Sequence, residues 1–540
     1  MKKKGFTLIE LLAVIVILAI IALIIVPVVA NIIESARFGA AKDSVLEYVH
    51  AANQYGALSL AGVSDDGLNI NGTLESGVND SELEKIKYSG TKFDYIYMEF
   101  DESNNVTSGK FCINGYSLDY NNNEVTKGMG YCETLDPGLY AEDGTLIKTW
   151  DELVALGMDI EKDYTSSTMR TDASNPTLVF KNNGLKGNLI LPNTITKIGD
   201  YAFVAGMGMN YNALTGVKIS ESVETIGLAA FDYQRELTSV DFSKATNLIS
   251  IGSSSFTNNS LKSVSITNSP NLTIVKTSAF DENQIEKVRI NADSYIIEDY
   301  VFYRNKISDL KLLGKVTAIG QEAFNDNQLS DSQGFIYGKD ENGNNTTTIV
   351  SYGGANRNNV TIPNGVIAIG KNAFRGLSLT GKITLPESVS TIENNAFEDN
   401  SLTDYEFKGV ISSFGNATFN GNLVEGEKGF IMAQDANGNP TTTIVSYAGV
   451  SNRDVTMPSG ITEIAAHAFE NIHFKNGNSG TSLTVPSTVM KVGNNGLSIR
   501  GNAVDSKAKL YIQGKSSEAD FTELDSNWVS GRMVEVIYQP

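Results

Sequence analysis

One short phrase, Ile-Gly-x-x-Ala-Phe, returns along most of the chain and constrains the fold more than any other feature. Clear copies end at Phe203, Phe231 and Phe324, and strand-like phrases of the form Leu-x-x-Val-x-Ile follow the phenylalanines. Most copies lie 22–25 residues apart. A unit of this length cannot bury its own apolar edge, so stacked copies must share one core. The period therefore predicts a β-rich solenoid over residues 189–499.

Two side chains recur at fixed places in this period. The phenylalanine that closes each phrase is the expected repeat core, and an asparagine three residues later is the expected ladder. A buried amide at one place per turn can satisfy backbone groups of its own turn and the next, so we interpret the asparagines as structural rather than catalytic. The core set is Phe203, Phe231, Phe256, Phe280, Phe302, Phe324, Phe374, Phe397, Phe419 and Phe469, and the ladder set is Asn259, Asn283, Asn305, Asn327, Asn400 and Asn422.

Two of the intervals between phenylalanines are 50 residues long, and their contents are copies of each other. The segment from Gly334 to Tyr352 recurs 95 residues later, so a block of repeats was duplicated as a unit. Each copy contains Asp-x-Asn-Gly-Asn, at 340–344 and at 435–439. Oxygen ligands at alternate positions are typical of a calcium loop, whereas Asn-Gly is the standard signal of a hairpin turn. Both copies lack the closing glutamate, which favours the turn.

Charge and composition exclude several classes of function. The formal net charge is −20, which argues against nucleic acid as a partner because phosphate binding needs a cationic face. With three histidines and two cysteines there is little material for a metal site or a histidine-based triad. We therefore predict no catalytic residues, no metal and no cofactor. The outward positions of the repeat strands, Lys218, Asp241, Ser265, Arg289, Lys311 and Glu406, form no stripe of one sign.

The N-terminus carries a second strong signal. Three lysines precede residues 11–30, which contain no charged side chain and are long enough to cross a bilayer. Glu10 stands at the edge of this stretch, where a carboxylate is costly without a partner. It either lies at the interface of a plain anchor or pairs with a new α-amine at Phe6, if the chain is cut after Gly5.

The string from Lys4 to Leu12, Lys-Gly-Phe-Thr-Leu-Ile-Glu-Leu-Leu, resembles the class III leader of type IV pilins and type II secretion pseudopilins. The resemblance implies that residues 1–5 are removed by a prepilin peptidase, that Phe6 is N-methylated, and that Glu10 is the assembly carboxylate. It also implies a helix over 6–60 that bends at Pro27. The motif does not distinguish a pilus subunit from a pseudopilin or a competence pilin.

The segment after the apolar stretch predicts a small exported β head over residues 61–135. An apolar stripe from Phe38 to Tyr55 should place the second half of the helix on this sheet. We expect strands at 93–100 and at 110–118. In an exported domain Cys112 and Cys132 are expected to form a disulfide, and two free buried thiols are the alternative.

The repeat phrases resemble the BspA-like, or treponemal, leucine-rich repeats of bacterial surface proteins. The resemblance implies a right-handed solenoid, with an N-terminal cap over 136–188 and a C-terminal cap over 500–540. The fold class is thus α+β: a long transmembrane pilin helix, a small β head and a leucine-rich-repeat solenoid.

Together the N-terminal motif and the repeats predict a minor type IV pilin whose repeat module binds an unknown protein or glycan in adhesion. Its partners would be other pilin subunits, the assembly machinery, the prepilin peptidase and, through 11–30, the membrane. It would sit in the cell membrane before assembly and in a surface pilus afterwards. The alternative is a pseudopilin whose repeats recruit a partner or an exported substrate, and a surface enzyme is the class that we exclude.

Overall fold

The computed structural model describes residues 36–540 apart from 61–71, 77–79, 89, 91, 94, 102, 114–115, 129–135, 142–143, 207–210, 477–478, 502–506 and 531–533. The chain divides into two compact units, Met1–Leu146 and Ile147–Pro540. In the described ranges no helix has both the length and the apolar character needed to cross a membrane. The predicted span over 11–30 lies outside those ranges.

The first unit is built on helix α1, which occupies residues 36–60. Its apolar stripe is buried as its helical spacing predicts, with Ala41, Val45, Tyr48 and Ala52 at 4% exposure or less. Tyr48 packs edge-on against Phe93 of the sheet region, with ring centroids 5.0 Å apart. The helix and the strands therefore share one hydrophobic core.

The strands of this unit form an antiparallel sheet in the order β1-β2-β3-β4-β5. The buried residues of the sheet belong to the same core as those of α1. The prediction of a single strand over 110–118 is wrong, because Cys112 pairs with Ser117 and Ile113 with Tyr116 across two arms of a hairpin. The Asn-Gly pair at 114–115 was the missed turn signal. The elements of this unit are β1 Thr73–Glu75, α2 Asp80–Leu83, β2 Tyr95–Phe100, β3 Val106–Ile113, β4 Tyr116–Asn121, β5 Glu124–Lys127 and β6 Gly138–Tyr140, and β7 Leu146–Thr149 spans the boundary between the units.

The second unit begins with short helices and continues as a β-solenoid. Helix α3 is stabilised by a capping box between Thr149 and Glu152, and α4 by the side chain of Asn175, which accepts from the Thr177 amide. Phe180 of α4 packs edge-on against Phe203, the first repeat phenylalanine, at 5.5 Å. The helices are α3 Trp150–Ala155 and α4 Pro176–Asn182, with single 3-10 turns at Thr168–Arg170, Gly426–Gly429 and Glu518–Asp520.

The strands of the solenoid form two series, one on each side of the turns. One series consists mostly of longer strands, in which β16 and β17 pair in parallel from Lys287↔Asp309 onward. The C-terminal end of β16 also pairs with β15 and so joins the two series. The members of this series are β8 Gly187–Ile190, β10 Leu214–Lys218, β12 Ser239–Asp241, β14 Ser263–Ile266, β16 Lys287–Ile297, β17 Asp309–Ile319, β21 Thr380–Leu385, β23 Ser401–Phe407, β27 Val455–Thr456, β31 Ser482–Val485, β33 Ala508–Gln513 and β35 Val534–Gln539.

The other series consists of two-residue strands at the Ile-Gly phrases, which also pair in parallel, as at Ile226↔Ile251. Two antiparallel hairpins and a small ribbon complete the unit. The short strands are β9 Lys197–Ile198, β11 Thr225–Ile226, β13 Ser250–Ile251, β15 Ile274–Val275, β20 Ala368–Ile369, β22 Thr391–Ile392, β24 Ser413–Phe414, β28 Glu463–Ile464, β32 Lys491–Val492 and β34 Glu523–Leu524. The hairpin and ribbon strands are β18 Phe335–Lys339, β19 Asn345–Tyr352, β25 Phe430–Gln434, β26 Pro440–Tyr447, β29 Lys475–Asn476 and β30 Ser479–Gly480.

The segment around each repeat phenylalanine turns sharply at two backbone positions. The residues two before and two after Phe302, Tyr300 and Arg304, have φ of 59° and 50°. The same left-handed pair recurs around Phe280, at Ser278 and Glu282. Non-glycine residues adopt this conformation at a cost, so the surrounding hydrogen bonds must hold it. The predicted β-rich solenoid is confirmed, and most of its turns carry this strained corner.

Candidate functional site

The repeat phenylalanines form a continuous column of stacked rings. Neighbouring centroids are 5.2 Å apart for Phe256 and Phe280 and 5.4 Å for Phe280 and Phe302, with planes within 3° of parallel. These side chains are fully buried. Each backbone N–H also donates to the next turn, as in the 2.8 Å bond from Phe302 to the Ala323 carbonyl. The column thus joins consecutive turns through both ring stacking and backbone bonds.

The ladder asparagines connect each turn to the one before it. Asn305 donates from Nδ2 to the Phe280 carbonyl at 2.9 Å, one turn back. Its Oδ1 accepts from the Ile285 amide at 3.1 Å. Asn400 makes the fullest set, accepting from Leu377 and Leu379 at 3.1 and 3.0 Å and donating to the Phe374 carbonyl at 2.7 Å. Their amides are therefore committed to backbone groups rather than available for chemistry.

The ladder has one incomplete rung and one member that the sequence reasoning missed. Asn259 donates to the Phe231 carbonyl at 3.0 Å, but its Oδ1 has no hydrogen-bond partner among the described residues. Gln234 occupies the same position in the preceding turn, three residues after Phe231. It donates to the Phe203 carbonyl and accepts from the Ala213 amide at 2.8 Å. Its spacing from Phe231 was the signal that could have identified it.

Each 50-residue interval contains a further ring that the phenylalanine pattern did not reveal. Tyr352 stacks on Phe374 at 4.9 Å, and Tyr447 stacks on Phe469 at the same distance. The Phe324 amide donates to Ser351 Oγ at 3.0 Å, which replaces the usual bond to a carbonyl of the next turn. The tyrosines thus extend the ring column into the long intervals.

The duplicated Asp-x-Asn-Gly-Asn segments are hairpin turns. Strands β18 and β19 flank residues 340–344 and pair antiparallel, with Phe335 opposite Tyr352. Asp340 Oδ2 accepts from the Asn344 side-chain amide at 3.1 Å, and Oδ1 accepts from the backbone amides of Asn344 and Asn342 at 2.8 and 2.9 Å. These bonds lower the pKa of Asp340. Asp435 has the same arrangement with Asn437 and Asn439. Each carboxylate is occupied by its own turn, and the described ranges contain no cluster of acids, histidines or cysteines suited to a metal.

The longer strands of the solenoid differ from the sequence prediction at Arg289, which was expected to be an outward-facing residue. Its side chain is only 6% exposed and forms an ion pair with Asp309 of the neighbouring strand. One guanidinium nitrogen also donates to the Val288 carbonyl at 3.1 Å. The expectation that Arg289 points outward is wrong because Asp309 is close enough to draw the guanidinium back along the sheet. Lys382 and Glu406 form a more exposed pair at 2.8 Å.

Several carboxyl groups are buried beside the ring column. Asp232 and Asp281 directly follow Phe231 and Phe280, and burial raises the pKa of each to about 7. One oxygen of each has no hydrogen-bond partner among the described residues. Burial also raises the pKa of Glu398, although Arg375 Nε donates to it at 2.8 Å. These groups do not converge on a cleft, and they act on stability rather than on a substrate.

The predicted processing and assembly residues, Gly5, Phe6, Glu10 and Pro27, lie outside the described residues. Cys112 is buried in β3 at 1% exposure, and Cys132 is also outside the described ranges. Their roles therefore stay predictions.

Two separate parts of the chain match two different family models. Residues 176–245, 205–330 and 350–425 match the BspA type leucine rich repeat region, in six copies. Residues 1–26 match the prokaryotic N-terminal methylation motif. The second unit is thus a β-solenoid that contains BspA-type leucine-rich repeats. The chain carries BspA-type repeats behind a type IV pilin-like leader, and the matches are to a repeat region and a processing motif rather than to a catalytic domain.

Solved structures similar to this chain are bacterial leucine-rich-repeat proteins. A leucine rich cell surface protein from Faecalibacterium prausnitzii is 20% identical, with 64% of this chain and 89% of that chain covered and a TM-score of 0.34. The pneumococcal vaccine antigen PcpA is 16% identical over 66% and 90% of the two chains, with a TM-score of 0.38. A leucine-rich repeat protein from Eubacterium ventriosum is 17% identical over 69% and 88%, with a TM-score of 0.38. No curated protein matches the chain.

Proposed function

We propose that this chain is a minor subunit of a type IV pilus-like filament and displays its repeat region as an adhesion module. The single observation that carries the proposal is the N-terminal methylation motif in the same chain as a leucine-rich-repeat solenoid. The motif marks a helix that is cut after Gly5, methylated at Phe6 and packed with other subunits. The solenoid supplies an extended surface for a partner.

The first unit supports an assembly role. Helix α1 lies on an antiparallel sheet and is amphipathic from residue 36 onward. This is the arrangement expected of a pilin helix with a small head, stabilised by a Cys112–Cys132 disulfide. Glu10 would pair with the Phe6 amine of a neighbouring subunit and set the axial register of the filament. In this proposal the chain sits in the cell membrane through residues 11–30 before it is assembled at the surface.

Replacement of Glu10 by alanine tests the assembly role. We expect E10A to reach the membrane at normal levels but to be missing from sheared surface filaments, as judged by immunogold labelling and blotting. E47A is the matched control, because Glu47 is an exposed acid on α1 and its loss should leave incorporation intact. Normal incorporation of E10A would contradict the role of Glu10.

A pseudopilin that recruits an exported substrate is the alternative, since it would carry the same motif. The same immunogold experiment separates the two functions. Label on filaments that extend from the cell supports the pilus subunit, whereas label confined to the envelope supports the pseudopilin.

A further inference from the structure

An open groove of about 480 Å³ is lined in part by three ladder asparagines, Asn283, Asn305 and Asn327. Three consecutive turns build its floor, through Gln284, Lys306 and Gln328, each of which directly follows a ladder asparagine. Arg304 and Asp326 flank these positions, and Ala355 and Arg357, just beyond the hairpin strand β19, close one end. The volume is in the range of small-ligand pockets.

The groove is cationic although the chain as a whole is strongly acidic. Three cationic side chains line it, Arg304, Lys306 and Arg357, against the single carboxylate of Asp326. Arg304 is paired with Glu282 at 2.9 Å. Lys306 is exposed and forms no ion pair with any residue that the structure describes. A free lysine is therefore available to an anion at the centre of the groove.

Arg357 is held in place but is not fully satisfied. One guanidinium nitrogen donates to the Asn327 carbonyl at 3.0 Å, and the group lies 5.9 Å from the Tyr352 ring centroid. Its other terminal nitrogen, Nη1, is buried and has no hydrogen-bond partner among the described residues. Its pairing with Asp326 is loose, at 3.4 Å. The guanidinium is therefore held at the wall of the groove, where its positive charge can attract a ligand carboxylate.

Comparison with the second copy of the duplicated block shows that the repeat fold does not require the charged residues of the groove. Counting on by 95 residues, the ladder asparagines Asn305 and Asn327 become Asn400 and Asn422, so the frame is preserved. The groove residues are not preserved. Arg304, Lys306, Asp326, Gln328 and Arg357 correspond to Asp399, Ser401, Gly421, Leu423 and Asn452. The cations are thus particular to one copy, as expected of a binding site and not of a structural position.

We infer that this groove binds an acidic saccharide, with its carboxylate on Lys306 and Arg357 and its hydroxyl groups on the side-chain amides of Gln284 and Gln328. Those amides form no hydrogen bonds with other described side chains, and each can both donate and accept. Ala355 is the only apolar residue of the lining, so the groove offers no pocket for an apolar peptide side chain. The inference rests on the proposed function, because it names the ligand class of the adhesion module.

Calorimetric titration of the detergent-solubilised full chain tests the inference. The probe is a trimer of galacturonic acid, and the matched neutral probe is a trimer of galactose. We expect only the acidic trimer to bind, with affinity that falls as salt is raised. Replacing Lys306 by serine, its counterpart in the second copy, should weaken binding about tenfold or more, as the loss of a charge-assisted hydrogen bond requires.

The control variant is K262S, which removes an exposed lysine outside the groove. It should bind as the wild type does, and both variants should keep the wild-type melting temperature. Failure of the wild type to bind the acidic trimer, equal binding of the neutral trimer, or equal losses in K306S and K262S would overturn the inference. A penta-aspartate peptide that binds through Lys306 while the sugar does not would also overturn it. The proposed function fails separately, if cells keep full adhesion when the repeat region is deleted.

Discussion

Replacing Asn400 by alanine should destabilise the solenoid much more than the same change at Asn259. The two side chains are equally buried, at 6% and 5% exposure, so their cavities and lost packing are comparable. Asn400 satisfies the amides of Leu377 and Leu379 and the Phe374 carbonyl, whereas Asn259 satisfies only the Phe231 carbonyl. Each buried backbone group left without a partner costs about 1–3 kcal/mol. We therefore expect a loss of about 3–9 kcal/mol for N400A and about 1–3 kcal/mol for N259A.

Urea unfolding of the two variants, read alongside amide hydrogen exchange, measures this difference. In N400A the amides of Leu377 and Leu379 should lose protection, while amides several turns away should keep it, because each repeat contacts mainly its neighbours. In N259A no amide should lose a side-chain acceptor. Equal destabilisation by the two substitutions would contradict this account, in which the number of hydrogen bonds, and not burial alone, determines how much each ladder asparagine stabilises the fold.

Two further predictions concern the ring column and the acids beside it. Phe280→Ala should cost about 3–5 kcal/mol in urea unfolding because the ring is fully buried between two others, whereas Leu313→Ala, at a side chain 46% exposed, should cost under about 0.5 kcal/mol. The raised pKa of Asp281 means that the folded chain retains a proton that the unfolded chain releases above about pH 4, so stability falls as pH rises toward 7. Asp281→Asn should flatten the dependence of melting temperature on pH between about 4 and 7, and an unchanged slope would contradict this account.

The sequence was most informative where one residue type had to occupy one place per turn. The phenylalanine and asparagine positions could be predicted because stacking fixes their spacing and burial allows few alternatives. The same reasoning missed Gln234, Tyr352 and Tyr447, since a different residue type in the same place breaks a literal pattern without changing the packing. It also merged β3 and β4 into one strand, although their Asn-Gly linker was visible.

The features that escaped prediction depend on contacts between neighbouring turns. Arg289 sits at an outward position of its strand, and its ion pair with Asp309 on the next strand holds the side chain along the sheet, where it is buried. The groove around Lys306 likewise combines residues from three turns and from the segment after a hairpin. Spacing along the chain does not show which side chains meet across such turns, because the intervals between turns vary in length.

The central claim is that this chain becomes part of a filament through a processed N-terminus. Mass spectrometry of sheared and purified surface filaments tests it most directly. We predict that the filaments contain this chain and that its first residue is N-methylated Phe6. A chain that is missing from the filaments and is recovered from the membrane with Met1 intact would contradict the account.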